Sequence, residues 1–279
     1  MPLSPSETTS LLNKLGHHPK KKLGQNFLID GNIVDKSIRL AELPPSGKVV
    51  EIGPGLGTLT RKLLESGQSV HAVEIDHSLA QNLTDTESNA IENGTLEVTR
   101  GDAVKYPLGS LSNSNEKYLI VANLPYAISS AWLESMLNTQ KLPSRMVLMM
   151  QKEAVQRIWA AVGTKEFHAL SIFISNAFSL TSKHPVSRKC FFPSPAVDSM
   201  LIRMDLLENA YLFSEGSRRL IRRIFTQRRK QLGSLAKKEK PLVSEAILGW
   251  LAELDLSPHL RPEQVSAKDW KRLGEIFDY

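Results

Sequence analysis

Val49-Val50-Glu51-Ile52-Gly53-Pro54-Gly55-Leu56-Gly57 joins a run of β-forming residues to three glycines, and a helical pattern opens at Thr58. β-Branched residues favour an extended chain, and glycine lets the backbone turn sharply and approach a ligand closely. The free N–H groups at the start of the next helix add a seat for polar ligand atoms. The stretch reads as strand, glycine turn and helix facing something nucleotide-like, with Gly53 and Gly55 as candidate cofactor contacts. A tight structural turn is the plain alternative, because the spacing is GxGxG and Thr58 replaces the next small residue of a dinucleotide fingerprint.

Outward from this turn, strand-like segments at 70–75, 96–99, 118–122 and 146–150 alternate with helical patterns from Ser78 and Ser130. Such alternation predicts βαβ units and a parallel sheet covered on both faces. An earlier helical pattern through Ile33, Ile38 and Leu40 stops at Pro44-Pro45. Segments 179–186 and 199–204 are expected to finish the sheet as an antiparallel pair. Beyond Asp205 the apolar spacing turns helical, in Leu220, Ile221, Ile224 and Phe225 and again in Ile247, Leu248 and Leu251. The expected organisation is a flexible basic arm over 1–22, an α/β domain over 23–205 and a small helical domain over 206–279. A disordered patch is expected at 113–116.

The 279 residues carry 35 Lys plus Arg against 29 Asp plus Glu, for a formal charge of +6, and 41% are hydrophobic. This ordinary composition excludes a mainly disordered or collagenous chain. Cys190 is the one cysteine, so an intramolecular disulfide and a cysteine-based metal site are excluded, and a reducing compartment is favoured. No metal is expected. No window has the apolar length of a membrane span or a signal peptide. A cytoplasmic protein is the expectation; an arm with Ser, Thr, Lys and a single acid, Glu7, keeps organelle import as a disfavoured alternative.

Glu74 ends the second predicted strand, where a carboxylate in a doubly wound sheet reaches ribose hydroxyls. A nicotinamide dinucleotide and S-adenosylmethionine both fit that acid. Asp102 ends the third strand on the same edge, placed to accept from an adenine amino group, which tilts the choice towards an adenosyl ligand without a pyrophosphate. Asp76 reads as the cap of the helix near Ser78. At the end of the fourth strand stand Asn123-Leu124-Pro125-Tyr126. Asn supplies a carbonyl acceptor, Pro stiffens the turn and Tyr offers a flat π-face. Acceptors at Asn123 Oδ1 and the Leu124 carbonyl suit the two hydrogens of an adenine amino group, with Tyr126 stacking on the base.

These motifs, with Lys21-Lys22-Leu23-Gly24-Gln25-Asn26-Phe27-Leu28, Phe191-Phe192-Pro193-Ser194-Pro195-Ala196-Val197-Asp198-Ser199 and Phe225-Thr226-Gln227-Arg228-Arg229-Lys230, resemble the KsgA-type family of rRNA adenine dimethyltransferases. The resemblance runs from about Lys20 to the C-terminus. It implies a Rossmann-like methyltransferase domain with a mostly parallel seven-stranded sheet, followed by a helical domain. It also implies dimethylation of two adjacent adenosines near the 3′ end of small-subunit rRNA, with S-adenosylmethionine as donor and S-adenosylhomocysteine as product. Carried over by position, Asn26, Leu28, Gly53, Glu74, Asp102 and Asn123 would hold the donor, and Phe191 would face Tyr126 across the target base. Phe192 is expected in the core. Ala127, Ser194 and Ala196 depart from the residues usual in the family, which bears on fine RNA contacts more than on the chemistry.

Between Ser217 and Lys240 there are ten basic residues and one acid, a net +9 that exceeds the charge of the whole chain. Arg218, Arg219, Arg222, Arg223, Arg228, Arg229 and Lys230 are therefore candidate phosphate contacts, joined by Lys21 and Lys22 of the arm. The expected partner is small-subunit rRNA within an assembling subunit, met by a monomer, with no membrane. Three other readings stay open: a large-subunit adenine methylase of the macrolide-resistance type, a non-catalytic RNA-binding assembly or transcription factor on the same fold, and, least supported, a dinucleotide oxidoreductase.

Overall fold

A computed structural model describes residues 3–113 and 116–277. Residues 114 and 115, within the patch expected to be disordered, lie outside the described residues. Contacts divide the chain into two units, one formed by residues up to Ala154 together with Leu180–Leu206, the other by Val155–Ser179 and the residues from Leu207 onward.

The first unit opens with α1 (Pro5–Lys14), β1 (Phe27–Leu28) and α2 (Gly31–Ala41). The alternating series follows as β2 (Gly47–Ile52), α3 (Thr58–Glu65), β3 (Gln68–Glu74), α4 (His77–Thr86), α5 (Ser88–Glu92), β4 (Leu96–Arg100), β5 (Tyr118–Asn123), α6 (Ser129–Asn138) and β6 (Arg145–Gln151). After α7 (Lys152–Ile158) and α8 (Ala169–Ala177) come β7 (Phe178–Val186), β8 (Phe191–Phe192) and β9 (Ser199–Leu206). The large sheet has seven strands in the order β4-β3-β2-β5-β6-β9-β7. Strands β2 to β6 pair in parallel, and β9 runs antiparallel to β6 from Gln151↔Ser199 to Arg145↔Asp205. Helices alternate with parallel strands because each crossover must return the chain to the same sheet edge.

The sheet order determines where a ligand can bind. From β2 the chain builds outward through β3 to β4, then returns to place β5 on the other side of β2, and such a reversal leaves a crevice at the carboxyl ends of the two strands. Those ends are Gly53 and Asn123. Side-chain caps open two of the helices, the second of them at the expected start near Ser78. Asp30 accepts from Asn32 N and Ile33 N to open α2, and Asp76 accepts from Ser78 N and Leu79 N to open α4.

The N-terminal segment corrects the expectation of a flexible arm. Residues 5–14 are helical, begun by Pro5 and a reciprocal Ser4–Glu7 capping box. Buried Leu12, with Leu3, Leu11 and Leu15 beside it, packs in one apolar cluster with Phe27, Leu56 and Leu79. The lysines that suggested a solvated arm occupy the remaining face and the segment after the helix. His17 is also buried, its ring bonded to Ser78 Oγ at 2.9 Å and Gln25 Oε1 at 3.0 Å.

The second unit contains α8 and the helices α9 (Glu215–Phe225), α10 (Leu232–Ala236), α11 (Pro241–Glu253) and α12 (Ala267–Phe277). Its inclusion of 155–179 departs from the boundary expected at 205. Helix α8 is apolar nearly all round, so it needs cover beyond a single face and packs against α12 and α9. Trp250 and Trp270 meet at a tilt of 36° with ring centroids 5.0 Å apart, and the Phe225 ring centroid lies 5.6 Å from that of Trp270. No helix among the described residues is long and apolar enough to cross a membrane.

Truncating Leu12 to Ala removes the buried anchor of α1. Since large-to-small core changes cost about 2–5 kcal/mol, more than a short helix can recover by itself, the segment should detach. Hydrogen exchange across 5–14 is expected to rise towards that of a free chain while exchange in β2, β3 and β5 stays slow.

Candidate active site

The crevice at the strand ends is a cleft of roughly 700 Å³, open mouth included, lined by 23–28, the glycine turn, Glu51, Glu74, Ile75, Leu79 and 123–126. The turn is shaped by close approach. Gly53 has φ 68°, and a Cβ there would stand 2.8 Å from Pro125 Cγ; Gly55 has φ 57°, and a Cβ there would stand 3.0 Å from the Phe27 ring. Any side chain would strain the backbone and push apart the two strand ends that frame the cleft.

Glu74 is 5% exposed at the end of β3. Its Oε2 accepts from Gly55 N at 3.1 Å and its Oε1 from Asp76 N at 2.9 Å, so main-chain donors fasten the acid to the glycine turn. Burial raises its carboxyl above the ordinary range, against the pull of those donors. Glu51 is 2% exposed, lines the same cleft and accepts from Thr60 Oγ1 at 2.6 Å. Burial pushes its carboxyl up to about 8, with the Thr60 hydroxyl acting the other way. Two buried acids on one cleft suit a ligand bearing hydroxyls and a cationic group.

Opposite them, Asn123 Nδ2 donates to the Asn26 carbonyl at 3.1 Å, and Asn26 Nδ2 donates to the Gly24 carbonyl at 3.0 Å. With its amide nitrogen engaged, Asn123 has Oδ1 as its side-chain acceptor. Leu124 N donates to the Met149 carbonyl at 3.1 Å and Ile128 N to the Pro125 carbonyl at 3.1 Å, which hold the turn. Half-buried Tyr126 lines the cleft, and its hydroxyl shares a hydrogen bond with Ser199.

The fold thus brings together Asn26, Leu28, Gly53, Gly55, Glu74 and Asn123 to Tyr126. Asp102 is half-buried outside the enclosed cleft, its Oδ1 accepting from Val104 N at 2.9 Å. Asp76 acts as the expected cap. Despite burial, which opposes ionisation, Lys20 Nζ at 2.6 Å and the Ser78 hydroxyl hold its carboxyl well below the usual range.

Phe191 is a correction. It is 2% exposed, paired with Leu28 across β1 and β8 and packed in the apolar core, so it presents no face to the cleft here, whereas Phe192 is only partly buried. Both rings lie in one short strand, whose alternation sends neighbours to opposite sides.

The basic cluster also divides. Arg218 is 5% exposed and the Arg222 guanidinium lies 5.5 Å from the centre of the Phe173 ring, so neither stands on an open face as expected. Adjacent arginines on a helix point about 100° apart, so one of each pair turns inward. Arg223 meets Glu239 through two bonds of 2.8 and 2.6 Å, Arg219 pairs with Glu215, and Arg228 bonds the Lys165 carbonyl. Arg229 and Lys230 are exposed, as are Lys21 and Lys22.

A family model described as ribosomal RNA adenine dimethylase matches residues 16–274. The chain belongs to the ribosomal RNA adenine dimethylase family. Among its relatives, the ribosomal RNA small subunit methyltransferase A of Opitutus terrae is 45% identical over 98% of both chains. The protein of the same name from Protochlamydia amoebophila is 36% identical over 98% of this chain and 96% of its own. A crystal structure of a dimethyladenosine transferase from Plasmodium falciparum superposes with a TM-score of 0.71 at 28% identity, covering 88% of this dimethylase and 95% of that chain. The 23S rRNA methyltransferase ErmE shares the fold, with a TM-score of 0.63 at 24% identity over 91% of this chain and 100% of its own.

Glu51, Ile75 and Ser199 escaped the sequence reading of this dimethylase. Glu51 lies within β2, and the signal for it is an acid placed just before Ile52 and the glycine turn, in an otherwise apolar run. Ile75 lines the cleft yet is 53% exposed, an apolar residue directly after the candidate ribose acid.

The Glu51 carboxyl carries a testable pH dependence. Folded, it keeps its proton from the ordinary 4.5 up to about 8, while the unfolded chain has released it. Stability from this group is complete below the lower value and is lost as pH rises through the upper one. In urea unfolding of the ligand-free protein, Glu51→Gln is expected to flatten the fall in stability between about pH 5 and pH 8.

Proposed function

We propose that this chain uses S-adenosylmethionine to dimethylate the N6 amino groups of two adjacent adenosines near the 3′ end of small-subunit rRNA, acting on the assembling small subunit in the cytoplasm as a monomer. The observation that carries the reading is the shared cleft. Asn123 to Tyr126 line the same crevice as the Gly53–Gly55 cradle and the buried acids Glu51 and Glu74.

The residues present fit the donor. The glycine turn lies directly against Pro125 and Phe27, where side chains would clash, and so holds the wall of the cleft in place, Glu74 offers acceptor lone pairs for ribose hydroxyls, and Glu51 offers a buried carboxyl group that the cationic methionine end would help to ionise. Bound S-adenosylmethionine supplies an electrophilic methyl group. Asp102, beyond the end of β4, would reach the adenine edge, and Asn26 and Leu28 would close the side formed by β1.

For the acceptor base, the difficulty is that the N6 lone pair is conjugated with the ring. Asn123 Oδ1 and the Leu124 carbonyl accept the two amino hydrogens and favour a pyramidal nitrogen, which frees the lone pair. Pro125 stiffens the turn that carries both acceptors, and the Tyr126 ring covers the base and the positive charge that develops on it. The nitrogen's proton becomes acidic as the new N–C bond forms, so water takes it and no strong base is needed. A target adenine in structured RNA must leave its stack to reach this turn.

Arg229, Lys230, Lys21 and Lys22 are the exposed cations through which RNA phosphates would be met. Arg219 and Arg223 are also exposed but already carry carboxylate partners, which RNA would have to displace.

Mass spectrometry of adenosines from undermethylated small subunits, incubated with the protein and methyl-labelled donor, should find dimethyladenosine there and none in large-subunit rRNA treated alongside. Label confined to large-subunit rRNA would overturn the reading. Asn123→Ala should lower methyl transfer by more than about a hundredfold while the unfolding midpoint holds. Replacing Arg229 and Lys230 together by Ala should weaken subunit binding and reduce its log–log salt slope by about 1–2; Arg218→Ala should instead act on stability.

A further inference from the structure

The main chain of the 123–126 turn leaves the plane of the Tyr126 ring undetermined. Hydrogen bonds at Leu124 N and Ile128 N place the backbone, but two side-chain torsions still separate Tyr126 Cα from the ring plane. The far end of the ring is held elsewhere: the Tyr126 and Ser199 hydroxyls share a hydrogen bond. Ser199 has 0% exposure and begins β9, opposite Gln151 in the β6–β9 register, so the sheet itself fixes the anchor. The ring is therefore tethered at both ends, by the turn after β5 and by a strand two places across the sheet.

We propose that Ser199 is a positioning residue for methyl transfer, holding the Tyr126 ring as a preformed platform on which the extruded target adenine stacks. The inference rests on the reading above that Tyr126 stacks on the base. A ring free to change rotamer would have to be ordered anew with each base, and the amino nitrogen would reach the donor less often in line. A tethered ring has lost that freedom during folding. Ser199 itself touches neither base nor donor in this account; it acts through the tyrosine.

The test uses the full chain and undermethylated small subunits, with Ser199→Ala, Tyr126→Phe, their combination and Tyr126→Ala. Single-turnover methyl transfer, half-saturating subunit concentration, S-adenosylhomocysteine affinity and the unfolding midpoint are measured for each. Ser199→Ala and Tyr126→Phe are expected to slow single-turnover transfer by about tenfold each, with product affinity and half-saturation unchanged. The double variant should be no slower than either single one, because both changes remove the same bond. If Ser199→Ala unfolds, Tyr126→Phe decides, since it leaves β9 intact. Wild-type rates in Tyr126→Phe, or losses that multiply in the double variant, would overturn the inference while an inactive Tyr126→Ala keeps the stacking reading. Full activity in Tyr126→Ala would instead remove the stacking reading itself.

Discussion

The carboxylate of Glu74, almost without solvent and gripped by the main-chain N–H groups of Gly55 and Asp76, ties two parallel strand ends into one rim. A buried acid held by backbone donors needs those donors in place, so the glycine turn after β2 and the bend after β3 must form together. The bend in turn seats Asp76 as the cap of α4, and Asp76 receives Lys20 from the N-terminal segment. One desolvated group thus organises the floor of the cleft, the start of a helix and the docking of the segment that precedes the sheet.

Across the cleft the logic is different. The Asn123 turn is neutral, and its order comes from donors and acceptors that are each used once: Asn123 to Asn26, Asn26 to Gly24, Leu124 to Met149, Tyr126 to Ser199. One cleft thus has a side with two buried acids and a neutral side with amide and carbonyl acceptors and an aromatic ring.

Charge in the second unit follows folding constraints before it follows RNA. Helix α9 carries arginine pairs whose inner members are Arg218, which is buried, and Arg222, which lies against the Phe173 ring, and whose outer members already meet Glu215 and Glu239. After the helix, Arg229, Lys230, Lys237, Lys238 and Lys240 are exposed. A count of positive residues overstates the surface offered to phosphate, because each long side chain has an apolar stem that packs as readily as it solvates.

The linear sequence determined the sheet series, the helix starts at Thr58 and near Ser78, and the residues Gly53, Gly55, Glu74 and Asn123 to Tyr126, because each is written in local chemistry: apolar runs, glycine conformational freedom, caps and a proline-stiffened turn. It did not disclose that Leu12 would fold the lysine-bearing arm into a docked helix, that 155–179 would pack with the C-terminal helices, or that Phe191 would turn into the core. Nor did it single out Glu51 or Ser199. These outcomes depend on partners far along the chain: Leu79 for Leu12, α12 for α8, Leu28 for Phe191, Tyr126 for Ser199. Local pattern sets which face of an element is apolar; only the assembled packing decides what covers that face, and with it which side chains remain free to act.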